Sequence, residues 1–272
     1  MSLNIKDLFN IEGKIAVVTG GSRGIGEMIA SGFLANGAKV YITARKEEAL
    51  IAKAEELSKT FNSECIPFCA DLAKEEGINS FVAFIAEKEP DGFDFLINNA
   101  GAAWGAPFED YPDDGYDKVM NINVKAIFAL TRDLLPLLLR TASTENPSRV
   151  INIGSIDGLR ISSTDNFAYG ASKAAVHFLT KNLAVRMGPK GLNVNAIAPG
   201  PFESQMMDYM LKNYRAKIEA ENPLGRIGNP TDMAGLALFL AAEASKYMTG
   251  QIIAVDGGRS LGAASAGAQP DL

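Results

Sequence analysis

The chain has 272 residues, 47% of them hydrophobic and 21% charged, with a net charge of -6 at pH 7. That length buries a full core, and the fractions are those of a folded globular protein rather than a disordered or fibrous one. The acidic balance gives no field for nucleic acid and no polybasic membrane patch, and no apolar run reaches the length of a membrane span.

Met1 to Asn10 carries charges and lacks the apolar segment and cleavage site of a signal peptide. Cys65 and Cys69, separated by three residues in an apolar stretch, lack redox or zinc spacing. They read as two lone buried thiols of a protein in a reducing cytoplasm. No metal constellation is visible.

In chain order, β-like runs alternate with helical ones. Lys14 to Thr19 predicts a first strand, followed by the glycine-rich Gly20 to Gly26 and a helix to about Asn36. Lys39 to Thr43 is a second strand and Glu47 to Thr60 a charged amphipathic helix. Cys65 to Ala70 is a third strand, with a helix over about Lys74 to Glu89, and Phe93 to Asn98 a fourth. A loop with Trp104 and Pro107 leads into one long helix, Gly115 to Arg140, with Pro136 near its end. Arg149 to Gly154 is the fifth strand, followed by a helix over Phe167 to Met187. Leu192 to Ala198 and Gln251 to Val255 complete the strands; Pro199 to Pro230 reads as irregular and partly helical, and Thr231 to Ala242 as a helix. Strands apolar on both faces and separated by helices imply a parallel sheet covered on both sides. The expected class is α/β, a doubly wound seven-stranded parallel sheet in one Rossmann-like domain over 1–272, binding at the carboxyl ends of its strands. The small residues of 263–272 read as a frayed tail.

The first loop is Thr19-Gly20-Gly21-Ser22-Arg23-Gly24-Ile25-Gly26. Glycine lets the backbone approach a pyrophosphate closely, and the following helix offers its free N–H groups and positive dipole end. A glycine-rich turn alone is a weak signal, but between the first strand and a helix it marks a dinucleotide site. An NAD site places an acid about 20 residues on, to bind the ribose hydroxyls. Here the second strand ends Ile42-Thr43-Ala44-Arg45 without one. Arg45 and Arg23 are either solvated or grip a 2′-phosphate, which points to NADP(H).

Tyr169 and Lys173 lie four apart, one turn above each other on one helix face. A free phenol has a pKa of about 10, and a neighbouring ammonium lowers it towards the range of a general acid/base. The spacing also suits a surface Tyr–Lys pair. His177, the only histidine, follows one turn later and reads as packed or as facing a subunit neighbour.

The loop Thr19 to Gly26, Asp71, Asn98-Asn99-Ala100-Gly101, Asn123, Ser155, Tyr169 with Lys173, and Pro199-Gly200 occur together and in order. On these residues the chain resembles the short-chain dehydrogenases/reductases over roughly Leu8 to Leu261. The stretches Ala102-Ala103-Trp104-Gly105-Ala106 and Leu134 to Ser155 narrow the likeness to 3-oxoacyl reductases of the rhamnolipid-biosynthesis type.

The resemblance implies that Tyr169 gives its proton to a carbonyl, that Lys173 lowers the tyrosine's pKa and binds the nicotinamide ribose, and that Ser155 hydrogen-bonds the substrate oxygen. It implies that Asn123 holds a water linking the lysine to solvent; without it, Asn123 reads as an exposed or backbone-bonded polar residue. Gly20, Ser22, Arg23, Gly24, Ile25 and Gly26 would meet the phosphates, Arg45 the 2′-phosphate, Asp71 and Leu72 the adenine. Asn99, Ala100 and Gly101 would line the adenosine ribose side, and Pro199, Gly200, Phe202 and Ser204 the nicotinamide end. It further implies a homotetramer and a mobile substrate lid over about 201–229.

Met206, Met207, Met210, Tyr209 and Tyr214 in that lid suit either an adaptable apolar pocket or ordinary helix packing. An apolar lid fits a 3-oxoacyl thioester. Asp157, two residues past Ser155, would disfavour anionic substrates and could hydrogen-bond a polyol. The expected activity is therefore NADPH-dependent ketone reduction. A sugar, polyol or steroid alcohol dehydrogenase is the alternative, and a non-catalytic dinucleotide sensor the third reading.

Overall fold

The structure, a computed structural model, describes residues 3–262; the tail read as frayed, 263–272, lies outside them. After a single helical turn, α1 (Ile5–Leu8), strands and helices alternate: β1 (Ile15–Thr19), α2 (Gly24–Ala35), β2 (Lys39–Ala44), α3 (Glu47–Phe61), β3 (Cys65–Cys69), α4 (Glu75–Lys88) and β4 (Phe95–Asn98). Then come α5 (Asp113–Met120), α6 (Ala126–Thr141), β5 (Ser148–Ile153), α7 (Phe167–Met187), β6 (Leu192–Pro199), α8 (Asp208–Ala220), α9 (Pro230–Ala241) and β7 (Ile252–Val255). Among the described residues the seven strands form one parallel sheet in the order β3-β2-β1-β4-β5-β6-β7. The order reverses between β1 and β4, which opens a crevice at their carboxyl ends.

The apolar runs alternate faces with the period of two that a strand imposes. Ala16, Val18, Val40, Ile42, Phe95 and Ile97 pack under α2 and α9, joined by Ile29, Phe33, Met233 and Leu240. Val17, Tyr41, Leu96 and Val150 point the other way, onto α4 and α6, against Phe81, Ile85, Leu130 and Leu134. Each full burial of such a side chain stabilises by about 1.5–3 kcal/mol, so two continuous cores hold the sheet rigid beneath its carboxyl edge.

Two expectations change, and a third gains detail. The long helix is two helices joined by a π turn, Asn121–Lys125, in which Ala126 N–H reaches back to Asn121 C=O. One surplus residue there leaves the hydrophobic periodicity on both sides nearly unaltered, so the pattern hides it. The segment after β6, expected as irregular and partly helical, carries α8, kinked at Tyr214 (φ −135°), whose Leu211 and Ile218 pack with Ile227, Met207 and Met210 as a small core of their own. Finally, Cys65 is buried but Cys69 is exposed at the end of the edge strand β3.

Candidate active site

At the end of β1 the chain turns through Gly20 (φ +66°) and Gly24 (φ +57°), left-handed conformations that disfavour any side chain. A Cβ on Gly26 would collide with the Gly20 carbonyl and the Asn99 amide, so α2 begins in contact with the loop before it. Asn99 Nδ2 donates to the carbonyls of Thr19 (2.8 Å) and Gly20 (3.1 Å), while Thr19 Oγ1 accepts from the Asn99 and Ala100 N–H groups at 2.9 Å. These bonds clamp the β1 and β4 exits into one rigid edge. Asn99 was expected to line a ribose; its side chain instead braces the glycine loop.

The α2 N-terminus is left open. Arg23, its N-cap, makes no side-chain capping bond, and Arg23 and Arg45 are both exposed. Neither has an acidic partner among the described residues. Ser22 and Ile25 are half-buried beside them, and Ser204 Cβ lies 3.1 Å from the point where a Cβ on Gly24 would sit. A glycine cradle at a helix N-terminus, flanked by two free guanidinium groups, fits a phosphorylated dinucleotide. Asp71 is half-buried past β3, its Oδ1 accepting from Ala73 N–H at 3.2 Å. Leu72 and Phe202 point into core: Leu72 joins Ile78 and Phe81, and Phe202 covers Gly228. Pro199 ends β6, and Gly200 lies so close to Asp256 that its Cβ would stand 2.7 Å from the Asp256 Cβ.

The reactive groups gather at the β5 exit. Lys173 is 4% exposed, and its Nζ donates to the Ile153 carbonyl at 2.8 Å, 5.5 Å from the centre of the Tyr169 ring. Ser155 Oγ accepts from Asp157 N–H at 3.1 Å, and Asp157 Oδ2 accepts from Asn166 Nδ2 at 2.9 Å. Burial pushes the Tyr169 phenol up to about 12; the nearby Asp157 charge adds to this, and the Ser155 hydroxyl facing the phenol opposes it. Burial also lowers Lys173 to about 8. Around the phenol, desolvation of the phenolate dominates. The ammonium gives one of its three N–H donors to the Ile153 carbonyl and keeps two.

Asn123, fully buried in the π turn, accepts from Ala102 N–H (2.9 Å) and donates to the Ala102 carbonyl (2.9 Å) and Ser172 Oγ (2.9 Å). Ser172 Oγ in turn donates to the Tyr169 carbonyl at 2.7 Å. Its side chain therefore fixes the loop after β4 to the helix of Tyr169. Gly101 sits beside it, where a Cβ would stand 3.0 Å from Asn123 Oδ1 and 3.8 Å from Lys173 Nζ. A second polar chain crosses the sheet: Asn98 Nδ2 donates to Thr131 Oγ1 (3.1 Å) and Asn152 Oδ1 (2.9 Å), and Asn152 Nδ2 to Thr180 Oγ1 (2.9 Å). It ties α6, β4, β5 and α7 together. Sequence reasoning gave Asn98, Asn152, Thr19 and Ser172 no role; the available signal was an amide in the middle of an otherwise apolar strand.

His177 packs, as one of its two readings had it: it is 5% exposed and lies where Gly154 and Gly158 leave room, and neither ring nitrogen has a well-formed hydrogen-bond partner. No group of acids, histidines and cysteines among the described residues could hold a metal.

A dinucleotide cradle and a buried Ser–Tyr–Lys set at one sheet edge define an oxidoreductase, and the chain belongs to the short-chain dehydrogenase/reductase family. The family model described as Enoyl-(Acyl carrier protein) reductase matches residues 20–260. The chain is 47% identical to the rhamnolipids biosynthesis 3-oxoacyl-[acyl-carrier-protein] reductase of Pseudomonas aeruginosa, covering 93% of this chain and 98% of the relative. It is 32% identical to the gluconate 5-dehydrogenase of Gluconobacter oxydans, covering 93% and 96%. Among solved structures, the Pseudomonas aeruginosa RhlG/NADP active-site complex superposes with a TM-score of 0.90 at 45% identity, covering 93% and 99%. The expected fold class and family are thus borne out.

Proposed function

We propose that the chain reduces the ketone of a 3-oxoacyl thioester with NADPH. The observation that carries this is the meeting of Ser155, Tyr169 and the buried Lys173 beside the glycine cradle. The similarity to the Pseudomonas reductase and to the NADP complex supports the substrate class and the cofactor.

Gly20, Ser22, Gly24, Ile25 and Gly26 hold the pyrophosphate, and Arg23 and Arg45 the 2′-phosphate. Asp71 and the Leu72 backbone bound the adenine, and Ala100 and Gly101 the adenosine ribose side, on the edge that Asn99 braces. Pro199, Gly200, the Phe202 backbone and Ser204 bound the nicotinamide end. When bound, the reduced cofactor supplies a hydride.

The chain's own groups do the rest. The Ser155 hydroxyl donates to the carbonyl oxygen as charge develops there. A phenol at about 12 keeps its proton at neutral pH, so Tyr169 stands ready as the acid. Lys173, at about 8, exchanges protons near the working pH and can restore the one that Tyr169 gives up. Asn123 holds the π turn and α7 in register beneath them. The segment 201–229, with Met206, Tyr209 and Leu224 exposed, closes over the acyl chain.

We also propose a cytoplasmic homotetramer. Exposed Phe128 on α6 and Phe178 and Val185 on α7 support a buried face between copies. No helix among the described residues is long and apolar enough to cross a membrane. The second reading, a sugar-acid or other alcohol dehydrogenase, is favoured by the gluconate relative. One absorbance assay separates the two: NADPH oxidation with acetoacetyl-CoA against NADP reduction with gluconate. Turnover of the thioester alone is expected; turnover of gluconate alone overturns the reading.

A further inference from the structure

Asp157 is the loose end of the site. It stands two residues past Ser155, and the first turn of α7 packs on its backbone: a Cβ on Gly170 would sit 3.3 Å from the Asp157 carbonyl. Its carboxylate is not free to swing away, because Asn166 Nδ2 holds Oδ2 at 2.9 Å. Asn166 is the N-cap of α7, yet its side chain makes no capping bond; it holds the carboxylate instead. Asp157 is half-buried and has no ion-pair partner among the described residues. Arg160, the cation of the same loop, is near enough to Asp256 to favour that carboxylate. Lys173, behind the phenol, donates to the neutral Ile153 carbonyl rather than to the carboxylate. A fixed negative charge outside any ion pair, close enough to act on the Tyr169 phenol, therefore borders the place where Ser155 and Tyr169 grip a carbonyl.

The consequence depends on what is attached to the ketone. In a 3-oxoacyl thioester or ester the group two carbons away is neutral. In the free 3-oxo acid it is a carboxylate, within a few ångströms of the ketone oxygen. We propose that Asp157, pinned by Asn166, is a specificity-determining charge filter that admits neutral 3-oxoacyl thioesters and esters and turns away the free 3-oxo acids left by their hydrolysis. The enzyme would thus act on acyl groups while they are still esterified, before hydrolysis releases the acid. This rests on the reductase reading above. Two like charges within one Debye length (~8 Å) in a partly desolvated site repel strongly enough to separate the two substrates by about tenfold.

The test compares kcat/KM for ethyl acetoacetate and for acetoacetate, with NADPH, in the wild type and in Asp157→Asn and Asp157→Glu. The ester-to-acid ratio should exceed ten in the wild type, fall at least tenfold in Asp157→Asn, and persist in Asp157→Glu. Asparagine keeps the backbone bond to Ser155 and an oxygen for Asn166, so ester turnover reports that the site is intact. Equal turnover of acid and ester by the wild type overturns the filter without any variant. An unchanged ratio in Asp157→Asn overturns it as well. Failure of the wild type on both ethyl acetoacetate and acetoacetyl-CoA instead overturns the reductase reading.

Discussion

His177 offers the cleanest test of how the Tyr169 helix is packed, since it is the chain's single histidine. In the unfolded chain its pKa is about 6.5. In the fold, burial pushes it down to about 4, and the charges of Lys173 and Lys181 add to that shift. Between these values the unfolded chain binds a proton that the folded chain refuses. Stability therefore falls as pH falls from about 6.5 to about 4, and this contribution is flat below. At about 1.4 kcal/mol per pH unit the loss is on the order of 3 kcal/mol, and water reaching the ring edge reduces it to about 2. His177→Leu removes the titration, and neither ring nitrogen makes a well-formed hydrogen bond to lose, the nearby Gly158 backbone opposing the shift less than burial drives it. Urea unfolding of both proteins at pH 7.5, 6, 5 and 4.5 reads the difference directly. The variant should be within about 1 kcal/mol of wild type at pH 7.5, and should become the more stable by about 2 kcal/mol at pH 4.5. Parallel curves across the whole range would refute the buried, uncharged imidazole and with it the packing of α7 against the Ser155 turn.

Three further outcomes are expected. Arg45→Asp removes a phosphate grip and supplies a ribose acceptor, so the NADP-to-NAD ratio of kcat/KM should fall by about 1–2 orders of magnitude; an unchanged ratio would remove Arg45 from the site. Asn99→Ala unties the β1 and β4 exits, should cost about 1–3 kcal/mol of stability, and should raise the KM for NADPH more than it lowers kcat. Light scattering at micromolar concentration should give four times the chain mass, and Phe178→Glu should dissociate the assembly; a monomeric wild type contradicts the proposed interface.

What the sequence disclosed and what it hid have physical reasons. Strand runs such as Val17-Val18 and Leu96-Ile97 are apolar on both faces, which only a covered parallel sheet tolerates, so the sheet was legible. Spacing could set Tyr169 and Lys173 on one helix face, but their roles, and that of Ser155, came from the resemblance to the short-chain dehydrogenases/reductases. The π turn was not legible, since one extra residue barely moves a helical pattern. Nor was the direction of the phenol's pKa: four-residue spacing says that an amine is near, but not how far burial outweighs it. The roles of Asn99 and Asn123 as braces were hidden for a related reason. An amide's partners are settled by backbone groups that only the folded chain brings within reach. For Leu72 and Phe202 the side chains turn into core, because position beside a cofactor edge does not tell which way a side chain turns.

The central claim is that Tyr169 hands a proton to a ketone beside bound NADPH. Tyr169→Phe, assayed by NADPH oxidation with acetoacetyl-CoA alongside fluorescence titration of NADPH, tests it most directly. The account predicts a loss of about 10²–10⁴ in kcat, with NADPH affinity unchanged within a few-fold. Activity within threefold of wild type would contradict it.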